Sequence, residues 1–200
     1  MSTPRDLERR FLGTVSSWLV SLPHDLKVLF EAKDEPNLDR PARETAAGAI
    51  LYVLNPDTSG AGTGEPDFVG FADDAIVLRE ALRAVAAKGG EGAGDFRDRF
   101  AEHYGTLDGD LDLCRQVMGD AYAWLAGKID GLHKLAYKGK KVSQYIDDDE
   151  CSELLYEDGL AFQTNFPIDE EKLGMRLKKP ETLLEPLRRR AAEEKKKKTG

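Results

Sequence analysis

"PDFVGFADDAIVLREAL" (66–82) decides the fold. Its second half carries Val77, Leu78, Ala81, Leu82 and, beyond the quoted stretch, Val85 at spacings of three and four residues. That is one apolar face of an α-helix beginning at Asp73 or Asp74. Its first half is a turn holding Pro66, Asp67 and Gly70. Immediately upstream, "PARETAAGAILYVLNPDTS" (41–59) places Ala46, Ala47, Ile50, Leu51 and Leu54 on one stripe. Pro56 ends that helix, because proline drives the preceding residue away from helical geometry. The two segments predict a helical hairpin, 41–54 against 73–88, closed by an Asp-rich turn.

The pattern continues towards the N-terminus. Phe11, Val15, Trp18 and Leu22 line one face of a helix over 5–22. Ser21 followed by Pro23 reads as the start of a second helix, with Leu26, Leu29 and Phe30 inward and Asp34–Pro36 at its end. Towards the C-terminus, "AAKGGEGAGD" (86–95) is glycine-rich and has little to bury, which predicts a flexible connection over 89–94. Asp95 then reads as the cap of a helix carrying Phe96, Phe100 and Tyr104. From Leu111 to Ala136 apolar residues recur at three, four or seven, predicting one long helix interrupted by Gly119, Gly127 and Gly131. "KKVSQYI" (140–146) fits a short strand or a helix start, and "DDDECSELLYEDGLAFQTNF" reads as helical with acids at its favourable end. The predicted class is all-α: an N-terminal helical unit (1–88), a Gly-rich linker (89–94), a second helical region (95–180) and a charged, disordered tail (181–200).

Composition narrows the function. Charged residues make up 33% and mean hydropathy is −0.49, which describes a soluble, patterned chain. The last twenty residues hold seven Lys/Arg and four Glu, leaving 22 basic and 33 acidic residues in the body. An acidic body repels phosphate backbones, so nucleic-acid contact is expected at most weakly, through the basic tail. Two distant cysteines, Cys114 and Cys151, read as inert thiols in a reducing compartment. The N-terminus has no signal-peptide core, and the longest apolar run, "AAGAILYVL", is too short to span a bilayer. These features predict a cytoplasmic protein.

Familiar catalytic and cofactor patterns are missing. There is no HExxH, no GxSxG elbow and no GK[ST] after the glycine loop "SGAGTGEPD". His24, His103 and His133 fall in separate segments and read as surface or helix-end residues. The one cluster is Asp57, Asp67, Asp73 and Asp74, gathered at the turn of the predicted hairpin. Hard divalent cations such as Mg²⁺ or Ca²⁺ are held by such carboxylates. Aspartate after proline also initiates turns, and aspartate caps helix N-termini. Capping is the preferred reading of the four residues, with a metal site as the alternative.

In "SLPHDLKVLFEAKDEPN", "PARETAAGAILYVLNPDTS" and "EPDFVGFADDAIVLREAL", the ordered set Pro23, Leu29, Asp34, Tyr52, Pro56, Asp57, Pro66, Asp67, Gly70, Asp73 and Asp74 resembles the YkvA-like family, a domain of unknown function. The resemblance covers about residues 21–85. Glu35 intervenes between Asp34 and Pro36, Asn55 replaces the usual serine, and "TSGAGTGE" is inserted between Asp57 and Pro66. The resemblance implies a helical hairpin with a carboxylate-rich turn and brings no activity with it. The expected function is therefore a non-enzymatic role through a protein partner or self-association, without a cofactor. The alternative is a divalent-metal-dependent protein, structural or hydrolytic, using the four carboxylates.

Overall fold

A computed structural model describes residues 3–55, 67–168 and 170–199; the side chains of Asp67 and of residues 197–199 lie outside that description. The chain is all-α, with a single two-stranded hairpin among the described residues. Helix α1 spans Pro4–Asp34. Thr3 caps it reciprocally with Asp6: the Asp6 N–H donates to Thr3 Oγ1 at 3.2 Å, and the Thr3 N–H donates to the Asp6 carboxylate at 3.3 Å. The predicted break at Ser21 does not occur. Pro23 lies inside the helix, where its ring costs a backbone hydrogen bond, on the order of 3 kcal/mol. Leu19, Leu22 and Leu26, all fully buried around it, offset that cost.

Helix α2 (Arg40–Leu54) and, after the short α3 (Asp67–Gly70), helix α4 (Ala72–Lys88) form the predicted hairpin. They run antiparallel: Tyr52 near the end of α2 meets Asp73 at the start of α4, and Thr45 meets Lys88 at the other end. Ala46, Ala47, Ala49 and Ala75, Ala81 are fully buried, so small side chains let the helices approach closely.

The predicted flexible linker is a packed turn. A 3-10 turn (Gly90–Gly92) leads directly into α5 (Ala93–Arg99) and α6 (Ala101–Tyr104). A Cβ added to Gly92 would stand 2.2 Å from the Asn37 carbonyl oxygen, and the Asp39 N–H donates to the Gly89 carbonyl at 3.3 Å. Only glycine fits that approach to the α1–α2 loop. The hydrophobic core runs without interruption from Phe11 to Leu187, across this turn.

The predicted long helix over 111–136 is instead α7 (Leu107–Met118), α8 (Asp120–Ala126) and a 3-10 segment (Ile129–Lys134). The break falls at Gly119, whose φ of 56° is left-handed. Strands β1 (Ala136–Tyr137) and β2 (Lys140–Lys141) pair antiparallel, Ala136 opposite Lys141. The ambiguous stretch is therefore both, a strand at Lys140–Lys141 and then helix α9 (Gln144–Asp147), and α10 (Asp149–Asn165) follows as expected. Lys33, fully buried in α1, anchors this region: its Nζ donates to Ser152 Oγ at 2.8 Å and to the Tyr145 carbonyl at 3.4 Å, and pairs with Asp34.

Helix α11 (Glu170–Arg176) precedes α12 (Glu181–Thr199). The predicted disordered tail is thus a helix, seated by buried Leu183, Leu184 and Leu187. Among the described residues, no helix is long and apolar enough to cross a membrane.

Candidate functional site: a buried Asp–His–Arg cluster on a cleft

Three helices deliver the cluster. Asp25 comes from α1, on the same stripe as Leu22, Leu26 and Leu29, and is fully buried. Arg79 comes from α4 and His103 from α6, exposed by only 8% and 6%. A carboxylate removed from water needs charged or hydrogen-bonded partners, and Asp25 has them on both oxygens. Arg79 Nη2 stands 2.8 Å from Oδ1, and His103 Nδ1 lies 2.9 Å from the same oxygen. Ser21 Oγ donates to Oδ2 at 3.2 Å. Arg79 Nη2 also reaches Ser21 Oγ at 3.0 Å, and its guanidinium lies over the Trp18 ring at 5.5 Å.

This arrangement fixes the imidazole. With Nδ1 against a carboxylate, the neutral ring carries its proton on Nδ1, and Nε2 presents a lone pair. Nε2 has no hydrogen-bond partner among the described residues: Glu102 Oε1 is 3.3 Å away but out of hydrogen-bond alignment. His103 and Arg79 share the lining of a cleft of about 470 Å³ with Ser17, Val20, Pro23, His24 and Glu102. The exposed His24 ring stacks on His103, centroids 6.2 Å apart and planes 15° from parallel. Nε2 itself is buried, behind the exposed Glu102 side chain at the cleft wall, so an imidazole oriented in this way exchanges a proton with a molecule in the cleft only when Glu102 swings aside.

The carboxylates singled out in the sequence meet a different arrangement. Asp73 and Asp74 lie in the first turn of α4, both fully buried. Their charge suits the helix dipole, but the cap position is Phe71 and there is no side-chain cap. The capping role expected of Asp73 and Asp74 is corrected accordingly: the first turn starts before them, so their side chains turn inward. Asp73 Oδ2 accepts from Tyr52 Oη at 3.1 Å and from Arg190 Nη2 of α12 at 2.7 Å. Burial pushes the Asp73 carboxyl above its usual range, with Arg190 opposing. Burial, reinforced by the Asp73 charge, holds the Tyr52 phenol well above its usual value. Arg190 therefore supplies at Asp73 the positive charge that a cation would bring. Asp57 lies outside the described residues, as does the side chain of Asp67 at the head of α3.

A wider groove of about 980 Å³ separates α7 and α8 from α12, lined by Met118, Trp124, Ala191 and Ala192 among others. At its edge Trp124 Nε1 and Lys128 Nζ both donate to Glu194, at 3.0 and 2.9 Å. It lacks the oriented imidazole of the smaller cleft. Both cysteines are free and buried, and burial pushes the Cys114 thiol up, away from the reactive thiolate.

The sequence reads His103 as a surface or helix-end residue; it does sit near the end of α6, but packing against Asp25 buries it, and that reading does not single out Asp25. The available signal was Asp25 itself, a charged residue at an apolar-stripe position of α1; its partner lies 78 residues away. Arg79 gave the same signal on α4, beside Leu78 and Leu82. No family model, no curated protein and no solved structure matches the chain, and the candidate site therefore rests on the geometry of its own residues.

Proposed function

We propose that this protein binds a small polar molecule in the cleft between α1 and α6 and exchanges a proton with it at His103 Nε2. The observation that supports this reading is the imidazole in the cleft wall, held at Nδ1 by a fully buried carboxylate and left without a hydrogen-bond partner among the described residues at Nε2, behind the exposed Glu102 side chain. Asp25 is the positioning residue: it selects the ring tautomer and stabilises the imidazolium when His103 takes a proton. Arg79 and Ser21 hold Asp25 in place, and Ser17, His24 and Glu102 offer hydrogen bonds to the ligand at the rim. This reading moves the function away from the Asp73 turn. The YkvA-like resemblance brings no activity to it. We also place the protein in the cytoplasm, a setting consistent with two free thiols.

Nitrogen-15 spectra of the histidine side chains test the tautomer directly. The ring of His103 is expected protonated at Nδ1 and bare at Nε2. A library of small hydrogen-bond-donating fragments should contain members that shift the His103, Ser17 and Glu102 signals in the parent and not in His103→Gln. A ring protonated at Nε2 instead, or a library with no such member, ends the reading.

A further inference from the structure

Helix α10 is inverted in its use of apolar residues. Its buried seam is only Cys151, Leu155 and Gly159. Gly159 lies against Phe30, where an added Cβ would come within 2.5 Å of the ring, so the helix sits close on a narrow footing. Its solvent face carries the larger aliphatics: Leu160 is 65% exposed and Leu154 56%. At 3.6 residues per turn, Glu150, Glu153, Leu154, Glu157, Leu160 and Ala161 share an arc of roughly 120°. All six are exposed. The leucines flank the arc and the three glutamates occupy its middle.

The exposed face is thus an acidic strip bordered on each side by an exposed leucine, a mixed surface with both a charge and an apolar contact to offer. The chemistry of the surface also chooses the occupant. A second copy docked through the same face would set the glutamates of one protomer against those of the other, a like-charge contact that costs binding. A partner with a row of Lys or Arg between apolar residues meets both features at once. We propose that the exposed face of α10 docks a basic amphipathic helix of a protein partner, as helices dock through anchors at spacings of three, four and seven. One 17-residue helix is about 25 Å long at 1.5 Å per residue, so the contact belongs to the small, transient class. The inference uses none of the residues of the His103 cleft and stands apart from the reading of that cleft.

The test is fluorescence anisotropy with a labelled 18-residue Leu/Lys amphipathic peptide, a Leu/Glu analogue, and a Lys-rich peptide of the same composition with its apolar face scrambled. The full chain is expected to bind the first and neither control. Leu154→Ser with Leu160→Ser, and separately Glu153→Lys with Glu157→Lys, should each weaken binding at least tenfold. Glu91→Lys, on the turn after α4, should leave it unchanged. All three variants change exposed side chains, and unchanged circular dichroism and melting confirm their folds. Equal binding of both Lys peptides, or equal binding by every variant, would reduce the effect to diffuse charge attraction and overturn the proposal. A concentration-dependent dimer in sedimentation, abolished by Leu154→Ser with Leu160→Ser, would assign the face to a second copy instead.

Discussion

Helix α4 takes part in two buried aspartate–arginine pairs. Near its start Asp73 is paired with Arg190 of α12; two turns further on, Arg79 is paired with Asp25 of α1. Both carboxylates are fully buried, and each accepts a neutral hydroxyl as well, Tyr52 in one case and Ser21 in the other. What differs is the third side. Asp73 is closed over by α12. Asp25 has His103, which stands in the wall of a cleft with its far nitrogen unpartnered among the described residues. The same ion-pair chemistry thus closes a helix junction at one site and orients a titratable ring at the other. Burial and pairing are common to both sites; what differs is whether a titratable ring stands beyond the carboxylate in the wall of a cleft.

The largest expected effect separates the two pairs by stability. Arg190→Leu strands a buried carboxylate, and removing one partner of such a pair costs about 3–5 kcal/mol. Replacing the group as a unit, Asp73→Leu and Arg190→Leu with Tyr52→Phe, should recover most of that loss, because buried ion pairs are often exchangeable for apolar packing. Urea unfolding of the parent, the single and the triple variant decides it. A triple variant no better than the single would mean that the pair does more than fill the junction.

Arg79→Met should cost less, about 2 kcal/mol, because Asp25 keeps donors from His103 and Ser21. A loss exceeding that of Arg190→Leu would reverse the comparison and make Asp25 the more purely structural site.

Both sites are held by one core only if the turn joining α4 to α5 is rigid. Gly92→Ala forces a methyl group onto the Asn37 carbonyl and should destabilise by about 1–2 kcal/mol. Limited proteolysis should spare 89–94 in the parent. A neutral substitution together with early cleavage there would show that His103 is not carried on the same rigid frame as Arg79.

The smallest effects concern pH, and their signs oppose. Bidentate hydrogen bonds from Arg40, at 2.5 and 2.7 Å, hold the exposed Asp147 carboxyl below its ordinary value of 3.8. The stability it contributes is present above that value and is lost as pH falls through the lower folded pKa. Asp147→Asn should therefore flatten the acid limb of the stability profile. Asp73 is shifted upward, chiefly by burial, so its ionised form costs stability above its folded pKa and the cost is relieved as pH falls towards 3.8. Asp73→Asn should steepen the profile in the window just above 3.8. Urea midpoints measured between neutral pH and the acid limb check both; equal slopes for the two variants would contradict the contrast between a paired surface carboxylate and a buried one.

The helical class and the α2–α4 hairpin were legible in the sequence because they rest on local periodicity. A stripe such as Val77, Leu78, Ala81, Leu82 states which face of its own helix is buried, and all four are. The overall charge and the shortness of the apolar runs were legible for the same reason: they need no partner to interpret. Tertiary structure decided everything that depends on what faces a stripe. Pro23 reads as a helix start from its neighbours, yet the leucines packed around it carry α1 through. The glycines after Lys88 read as slack, yet the α1–α2 loop packs against them so closely that only glycine fits. The tail reads as solvated, yet Arg190 finds Asp73 across 117 residues. Asp25 and His103 meet across 78 residues, and nothing in either local segment encodes the other. Periodicity reports that a position is buried; the charge or lone pair that makes burial of a polar group tolerable comes from a distant helix, and only packing brings it there.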